Sequence, residues 1–220
     1  MKELNIDHRR CIIQEDEHAH RVVVEMIGAH ALASIEEEWK QIHQLTATPL
    51  IYIGVVIDDW HHDLTPWEGK DPYGDVPFSN GGKETFKWLM NSLLPYLNER
   101  YSVESYYLAG YSLAGLFALW CSYQTNVFKG IASGSPSLWY EGWEDYMTHQ
   151  CLCPHVYLSI GTKEHRVRHQ TIRRIRELIE KQYQILNKQG MDVHLELNPG
   201  NHFKDEPLRM AKGIAWLLNV

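Results

Sequence analysis

The chain has 220 residues, of which 44% are hydrophobic and 22% charged, an ordinary composition for a globular protein with one sizeable core. Its formal net charge is −7 at pH 7, which disfavours nucleic acid or an anionic membrane surface as a partner. No apolar run approaches the roughly 20 residues needed to cross a bilayer, and the first ten residues lack the apolar core of a signal peptide.

The four cysteines are Cys11, Cys121, Cys151 and Cys153, and they fit neither a disulfide framework nor a paired zinc motif. Cys151 and Cys153 are too close in sequence to meet the geometry of a disulfide easily. We therefore expect four reduced thiols in a cytoplasmic protein, with Cys121 in the core.

The first part of the chain predicts strands, one helix and a long irregular segment. Strand patterns cover 11–13 and 21–27, and a helical pattern covers 31–45. Residues 49–57 form a near-continuous apolar run rich in β-branched residues, which is typical of a strand buried on both faces. The polar stretch at about 58–82 is too long for an ordinary connection, so we expect it to cover a functional part of the molecule.

The rest of the chain alternates helix and strand. Helices are predicted at 83–100, 112–123, 167–188 and 207–218, and strands at 106–109, 130–133, 155–160 and 192–197. This alternation predicts a mainly parallel central sheet flanked by helices on both faces, the α/β class. Since there is no internal repeat, low-complexity tract or linker, we expect residues 1–220 to form a single domain.

The segment from Gly110 to Gly115 carries the clearest sign of chemistry. A predicted strand ends there in Gly-Tyr-Ser-Leu-Ala-Gly and a helix starts at once, which is the context of a nucleophile elbow. Such a turn strains the serine backbone and requires small neighbours, and Ala114 is still small enough at a position where glycine is usual. Ser112 is the predicted nucleophile; the alternative is a helix N-cap serine.

A serine hydroxyl needs a base, and chain position selects one among thirteen histidines. His202 follows the last predicted strand, and Glu164 follows the strand before it. In α/β-hydrolases the chain order is serine, acid, then histidine, with the last two on loops after later strands. We therefore predict that Glu164 orients His202, which activates Ser112. Asp205 is a rival acid, and His165 is a rival base.

Backbone N–H groups are predicted to stabilise the oxyanion of the reaction. One comes from Leu113, the residue after the nucleophile. The second is expected near Val56, at the end of the apolar strand, within one or two residues.

Several side chains are predicted to line a substrate pocket. They are Trp60, His62, Trp67 and Trp139, which lie in segments expected near the active edge of the sheet. The alternative for the tryptophans is that they only cover the end of the sheet. The adjacent His61, His62 and Asp63 suggest a metal, but neighbouring histidines point apart and no further ligand has a helpful spacing. We expect no metal and no cofactor.

These segments resemble the putative esterase family of α/β-hydrolases, which includes esterase D-like, feruloyl and enterochelin-type siderophore esterases. The similar segments are 59–67, 110–119, 135–139, 161–164 and 200–203. Together they cover roughly residues 50–220. The Thr-Pro-Trp and Ser-Pro-Ser-Leu-Trp segments are more particular to this group than the elbow is.

The resemblance implies an α/β-hydrolase fold and a serine esterase that cleaves small-molecule carboxylic esters through an acyl-serine. It assigns the triad roles to Ser112, Glu164 and His202. His61 and His62 stand where the family pattern has an Asn-Arg pair, which disfavours a ferric-catecholate substrate and leaves esterase chemistry intact. Two alternatives stay open: a specialised siderophore-lactone or feruloyl-type esterase, and a non-catalytic binding protein of the same fold.

Overall fold

The computed structural model describes residues 1–72, 74 and 76–220. The strands are β1 Lys2–Ile6, β2 Arg9–Glu15, β3 Arg21–Gly28, β4 Ile51–Ile57, β5 Ser105–Tyr111, β6 Phe128–Gly134, β7 His155–Gly161 and β8 Asp192–Asn198. The α-helices are α1 Ile35–Leu45, α2 Trp60–Asp63, α3 Gly82–Trp88, α4 Leu94–Arg100, α5 Leu113–Cys121, α6 Trp143–Tyr146, α7 Gln170–Arg173, α8 Ile175–Lys188 and α9 Glu206–Leu218. A 3-10 turn at Ala29–Ala33 precedes α1, and a π-helical stretch at Leu89–Leu93 joins α3 to α4.

The strands form one sheet in the order β1-β2-β4-β3-β5-β6-β7-β8. The pairs β1–β2 and β2–β4 are antiparallel, and every later pair is parallel. The predicted mainly parallel α/β sheet is thereby confirmed. Strand β1 was not predicted because it is an exposed edge strand with few apolar residues. The extent of the single domain stays a prediction.

Both faces of the sheet are covered, which explains the apolar strand patterns. In β3, Val22, Val24 and Met26 point into a core shared with α3, α5 and α8. The intervening Val23 and Ile27 point into a second core shared with α1 and α9. Because successive side chains of a strand point to opposite faces, a strand between two helical layers must be apolar at nearly every position.

Two predicted helices are interrupted in the structure. The helix expected at 83–100 contains the π-helical stretch just before Pro95, which lacks an N–H and whose ring crowds the carbonyl four residues earlier. The helix expected at 167–188 is divided into α7 and α8, and its end is followed by Gly190 at φ +83°. The one-turn helix α6 was not predicted.

The segment at about 58–82 was predicted to cover a functional part of the molecule. Positions 73 and 75 of this segment lie outside the described residues. The rest contains α2 and a small antiparallel bridge between Gly69 and Phe78. Arg9 of β2 anchors the segment, since its guanidinium donates to both carboxylate oxygens of Asp63 at 3.2 and 3.3 Å and to the Thr85 hydroxyl at 3.1 Å.

The cysteines are buried and unpaired, as predicted for Cys121 in the core. Burial raises the pKa of the Cys121 thiol well above its ordinary value, so this side chain behaves as a small apolar group. Throughout 1–72, 74 and 76–220, no helix has the length and apolarity required to traverse a membrane.

Candidate active site

The candidate site lies where four neighbouring parallel strands end. Strands β5, β6, β7 and β8 all point their carboxyl ends at the same edge of the sheet. The residues that follow these ends are therefore brought together, although they are far apart in sequence. They are Ser112 after β5, Ser135 after β6, Glu164 after β7 and His202 after β8.

Ser112 occupies a strained turn between β5 and α5. Its backbone has φ 58° and ψ −119°, a region that non-glycine residues rarely adopt. The turn is held by Ser112 N–H, which donates to the Gly134 carbonyl at 2.9 Å. A Cβ at Gly110 would lie 2.5 Å from the Ala114 carbonyl oxygen, and one at Gly115 would lie 2.9 Å from that of Gly134. The small residues of the motif are required by this close packing.

The three predicted triad side chains are connected by two hydrogen bonds. The His202 Nε2 atom lies 3.0 Å from the Ser112 hydroxyl oxygen, and its Nδ1 atom lies 2.9 Å from Glu164 Oε2. Both distances are within the reach that proton transfer requires. The His202 side chain is 30% exposed and therefore accessible to a substrate, whereas that of Glu164 is only 4% exposed.

The second carboxylate oxygen of Glu164 has three donors. Glu164 Oε1 accepts from the Gly161 N–H at 2.6 Å, the Ser135 hydroxyl at 2.7 Å and Arg209 Nη1 at 3.1 Å. Burial opposes ionisation of Glu164, but the hydrogen bonds and the neighbouring His202 outweigh it and hold the pKa of the carboxyl below its usual range. The group is an anion at neutral pH with one oxygen aimed at His202.

Three residues of this arrangement were missed by sequence reasoning. Ser135 and Arg209 contact Glu164, and the Tyr111 hydroxyl donates to the His202 carbonyl at 2.6 Å. Burial raises the pKa of Tyr111 to about 12, so the hydroxyl keeps its proton. Arg209 had a detectable signal, because it lies four residues before the buried Gly213 on one face of α9. An arginine on an apolar helix face requires a buried partner.

The rival acid and base occupy less suitable positions. Asp205 is 55% exposed, with Lys204 as an ion-pair partner at 3.8 Å, and it precedes the first residue of α9. His165 directly follows Glu164 and is partly exposed. The carboxylate that is hydrogen-bonded to the His202 ring is that of Glu164.

A cavity of about 650 Å³ opens beside Ser112 and His202. Its walls carry four aromatic rings, those of Trp60, Phe78, Trp139 and Phe203. Phe203 is 86% exposed and lies at the mouth, with its ring edge-on to His202 at 5.2 Å. Lys163 and Arg166 add two cationic groups to the lining. With the carboxylates of Asp71 and Glu164 also in the lining, the cavity presents apolar and aromatic surface together with charges of both signs.

The predicted pocket side chains divide into two groups. Trp60 and Trp139 line the cavity, whereas Trp67 and His62 are not among its lining residues. The Trp67 indole N–H donates to the Glu141 carbonyl at 2.7 Å, and its ring packs against those of Tyr140, Trp143 and Tyr146. His62 Nδ1 lies 2.8 Å from the Ser79 hydroxyl.

The neighbouring His61 lines the cavity in place of His62. Its Nε2 atom lies 3.3 Å from Asp71, which also belongs to the lining. The difference follows from helix α2, because consecutive residues of a helix point in directions about 100° apart.

The two predicted oxyanion donors have different surroundings. Leu113 lines the cavity and is the first residue of α5, where a backbone N–H has no partner within the helix. Val56 lies inside β4 with its side chain in the second core, and it is not among the lining residues. The nearest lining residue after β4 is Trp60. Both donors stay predictions.

Metal coordination was considered for the histidine pair at 61–62. Across the described part of the chain, no three histidine, cysteine, aspartate or glutamate side chains are grouped in a way that could hold a metal ion. The His61 and His62 rings instead contact Asp71 and Ser79, respectively.

The fold is similar to that of several solved structures. The IroE-like serine hydrolase from Shewanella oneidensis is 16% identical, with a TM-score of 0.76, and the match covers 99% of this chain and 79% of that one. The siderophore hydrolase EstA from Aspergillus nidulans is 18% identical, with a TM-score of 0.76 and coverage of 96% and 90%. The BES protein from Bacillus cereus is 19% identical, with a TM-score of 0.73 and coverage of 95% and 88%.

A comparison with curated protein sequences found no match. Residues 29–203, well over half of the chain, match the family described as Putative esterase. This family match agrees with the resemblance carried by the sequence motifs. The chain therefore belongs to the Putative esterase family, and it is a carboxylic ester hydrolase of the α/β-hydrolase fold.

Proposed function

We propose that this esterase cleaves small-molecule carboxylic esters through an acyl-serine, with Ser112 as nucleophile, His202 as general base and acid, and Glu164 as the carboxylate that orients the imidazole. The observation that carries the proposal is the pair of hydrogen bonds, 3.0 Å from Ser112 to His202 and 2.9 Å from His202 to Glu164. The strained backbone of Ser112 supports the same role.

The acylation half-reaction begins when His202 Nε2 takes the proton of the Ser112 hydroxyl. The serine oxygen attacks the ester carbonyl and forms a tetrahedral oxyanion. When the intermediate collapses, the bond to the alcohol oxygen breaks and His202 gives its proton to the leaving alkoxide. Glu164 accepts from Nδ1–H, which keeps Nε2 free as the acceptor and stabilises the imidazolium.

Deacylation repeats these steps with water as the nucleophile. His202 takes a proton from water, the hydroxide attacks the acyl-serine, and Ser112 leaves with the proton returned by His202. The Leu113 N–H at the start of α5 stabilises the oxyanion in both halves, and the helix dipole acts in the same direction. The second donor comes from the backbone at the end of β4 or just after it.

A more specialised substrate is favoured by the lining of the cavity. The four aromatic rings suit an aromatic acyl group, as in a feruloyl-type ester, and Lys163 and Arg166 add positive charge that suits a catecholate siderophore lactone. Two structurally similar proteins are described as a siderophore hydrolase and an enterobactin hydrolase. The two cations supply positive charge in a chain that has His61 and His62 where the family pattern has an Asn-Arg pair.

The nucleophile is tested with Ser112→Ala. We expect hydrolysis of p-nitrophenyl butyrate to fall by about 10⁴–10⁶-fold, because the triad members act as a unit. Labelling by a fluorophosphonate probe should disappear as well. Ser92→Ala, at a partly exposed serine whose hydroxyl donates to Asp7, is the matched control and should keep both hydrolysis and labelling. A wild-type protein that hydrolyses no ester and takes no label would favour the non-catalytic binding protein.

The substrate class is tested by neutralising the two cations in the double variant Lys163→Met/Arg166→Met. The KM for a catecholate trilactone should rise roughly fivefold, in line with the modest strength of exposed ion pairs. The KM for neutral p-nitrophenyl butyrate should not change. Equal effects on both substrates would contradict a role of these side chains in recognising a charged ester.

A further inference from the structure

We propose that Arg209 is a positioning residue of the esterase, whose guanidinium holds the Glu164 carboxylate and the loop that carries His202 in one fixed arrangement. The inference rests on the proposed triad and extends it to helix α9. Arg209 does not touch the cavity that receives the substrate. Its effect on the reaction passes through Glu164 and the backbone of His202.

The first half of this arrangement is the contact with the acid. Arg209 Nη1 donates to Glu164 Oε1 at 3.1 Å, and both side chains are almost fully buried, at 1% and 4% exposure. The Gly161 N–H and the Ser135 hydroxyl bind the same oxygen. With Oε1 engaged three times, the carboxylate cannot rotate without losing charge-assisted hydrogen bonds, so Oε2 stays aimed at His202.

The second half is the contact with the base. Arg209 Nη2 donates to the carbonyls of Asn201 at 2.9 Å and Pro199 at 3.3 Å, which lie one and three residues before His202. Nη1 also donates to the Tyr111 hydroxyl at 2.9 Å, and that hydroxyl donates to the His202 carbonyl at 2.6 Å. One guanidinium therefore fixes the backbone on both sides of the imidazole-bearing residue.

The surroundings of the guanidinium leave little free space. A Cβ at Gly161 would lie 3.0 Å from Arg209 Nη2, 2.8 Å from Glu164 Oε1 and 2.7 Å from the Gly200 carbonyl oxygen. The absence of a side chain at 161 is what allows the acid loop, the base loop and the guanidinium to meet. Only a planar group with several fixed N–H donors can satisfy these acceptors at once, and a lysine ammonium lacks that geometry.

A contribution to the stability of the fold does not by itself explain why an arginine is buried at position 209. A buried ion pair adds little compared with apolar side chains of similar size, and the Arg209 Nε has no hydrogen-bond partner among the described residues. Precise positioning of the reacting groups does explain the buried arginine, because a displacement of 1 Å can lower the rate about 10²-fold.

The charge of Arg209 adds an electrostatic consequence. Glu164 on the β7 loop contacts the His202 ring, and Glu206 on α9 interacts with it electrostatically; Arg209 on α9 pairs with Glu164, while Lys163 and Arg166 line the same cavity. Removing a cation from this group favours the protonated imidazole, which cannot act as a base. The acid limb of the kcat/KM profile should then move to higher pH.

The experiment compares Arg209→Met and Arg209→Lys with wild type, and it counts active sites by fluorophosphonate titration so that rates refer to folded enzyme. Arg209→Met should lower kcat about 10²-fold with KM nearly unchanged, and should move the acid limb upward. Arg209→Lys should keep the acid limb in place and lose part of kcat. Lys212→Met, on the same helix and paired with Glu196, is the control and should match wild type in both.

The outcomes separate this inference from the proposed function. Wild-type kcat per active site and an unmoved acid limb in Arg209→Met would overturn the positioning role, even if the melting temperature fell. If Arg209→Met does not fold, Arg209→Lys decides, and a wild-type kcat there overturns the role. A wild-type protein without ester hydrolysis or labelling at Ser112 would instead sink the proposed triad.

Discussion

Glu164 shows how one side chain can be both buried and ionised. Its carboxylate accepts four hydrogen bonds, one from the His202 ring and three at the other oxygen. Burial alone would raise its pKa, yet these bonds and the nearby His202 hold the pKa below the ordinary carboxyl range. Ionised Glu164 therefore stabilises the fold above the unfolded pKa, and that contribution is lost as the pH falls through the lowered folded pKa.

At this residue scale, Glu164→Gln tests which carboxylate orients the base. The amide N–H₂ opposes the required imidazole tautomer, so we expect kcat for p-nitrophenyl butyrate to fall by about 10³–10⁴-fold. The rival acid provides the matched control, because Asp205→Asn changes a carboxylate only three residues after His202. Steady-state kinetics should leave Asp205→Asn near wild type. A greater loss in Asp205→Asn than in Glu164→Gln would reverse the assignment.

A pair of buried carboxyl groups lies between the sheet and the helices on one of its faces. Glu25 of β3 and Glu38 of α1 are 3% and 7% exposed and interact electrostatically, and the Tyr52 hydroxyl of β4 donates to Glu25 Oε2 at 2.7 Å. Burial raises the pKa of both carboxyls, that of Glu38 well above its ordinary value, because the pair cannot hold two negative charges without water. Helix α1 therefore meets the sheet at a buried carboxyl pair that disfavours the doubly ionised form.

At the element scale, this pair predicts a loss of stability in alkali. A carboxyl with a raised folded pKa contributes stability that is complete below its unfolded pKa and lost as the pH rises through the folded pKa. Glu38→Gln preserves the shape of the side chain but removes its ionisable group. At pH 9 it should therefore stabilise the protein by about 1.4 kcal/mol for every pH unit by which folding raises the pKa of Glu38. Urea unfolding at pH 5 and pH 9 measures this difference.

The control for Glu38→Gln lies on the same helix. Glu36 is exposed, so Glu36→Gln should leave the dependence of unfolding free energy on pH unchanged. If Glu38→Gln kept the wild-type decline between pH 5 and pH 9, the protonated pair would not be its source.

At the scale of the whole molecule, Arg9 connects the antiparallel part of the sheet with the cavity at the carboxyl ends of the parallel strands. Arg9 of β2 donates to Asp63 of α2 and to Thr85 of α3, and its guanidinium lies 5.4 Å from the Trp88 ring centre. Trp60 is on the same short helix as Asp63 and lines the cavity. The Arg9–Asp63 contact therefore holds the short helix that supplies Trp60 to the cavity wall.

At this scale, Arg9→Met should loosen the covering segment and weaken substrate binding. We expect KM for p-nitrophenyl butyrate to rise roughly tenfold, since hydrogen bonds to charged groups are worth about 1.5–3 kcal/mol, and kcat to change less. The segment 58–72 should also become more sensitive to proteolysis. The adjacent Arg10 pairs with exposed Glu3, so Arg10→Met is the control, and an equal change in both variants would refute the coupling.

Local periodicity and short-range sterics were sufficient to predict many of the strands and helices of this protein. Residues adjacent in sequence are enough to recognise the buried strand at 51–57 and the glycine-flanked turn around Ser112. Strand alternation and a strained turn both depend only on a few neighbouring residues. Chain order then selected Glu164 and His202, because the loops that follow parallel strands meet at one edge. These parts of the fold and the site were open to prediction from the sequence by itself.

Only the tertiary structure decided which side chains complete the site. Arg209 reaches Glu164 across 45 positions of sequence and Tyr111 across 98, and no local pattern encodes such a contact. The position of Trp139 in the cavity lining and that of Trp67 against Tyr140, Trp143 and Tyr146 likewise depend on packing directions. The residue type and its spacing in sequence determine the chemistry that a side chain can perform. The folded structure determines which other groups lie next to that side chain.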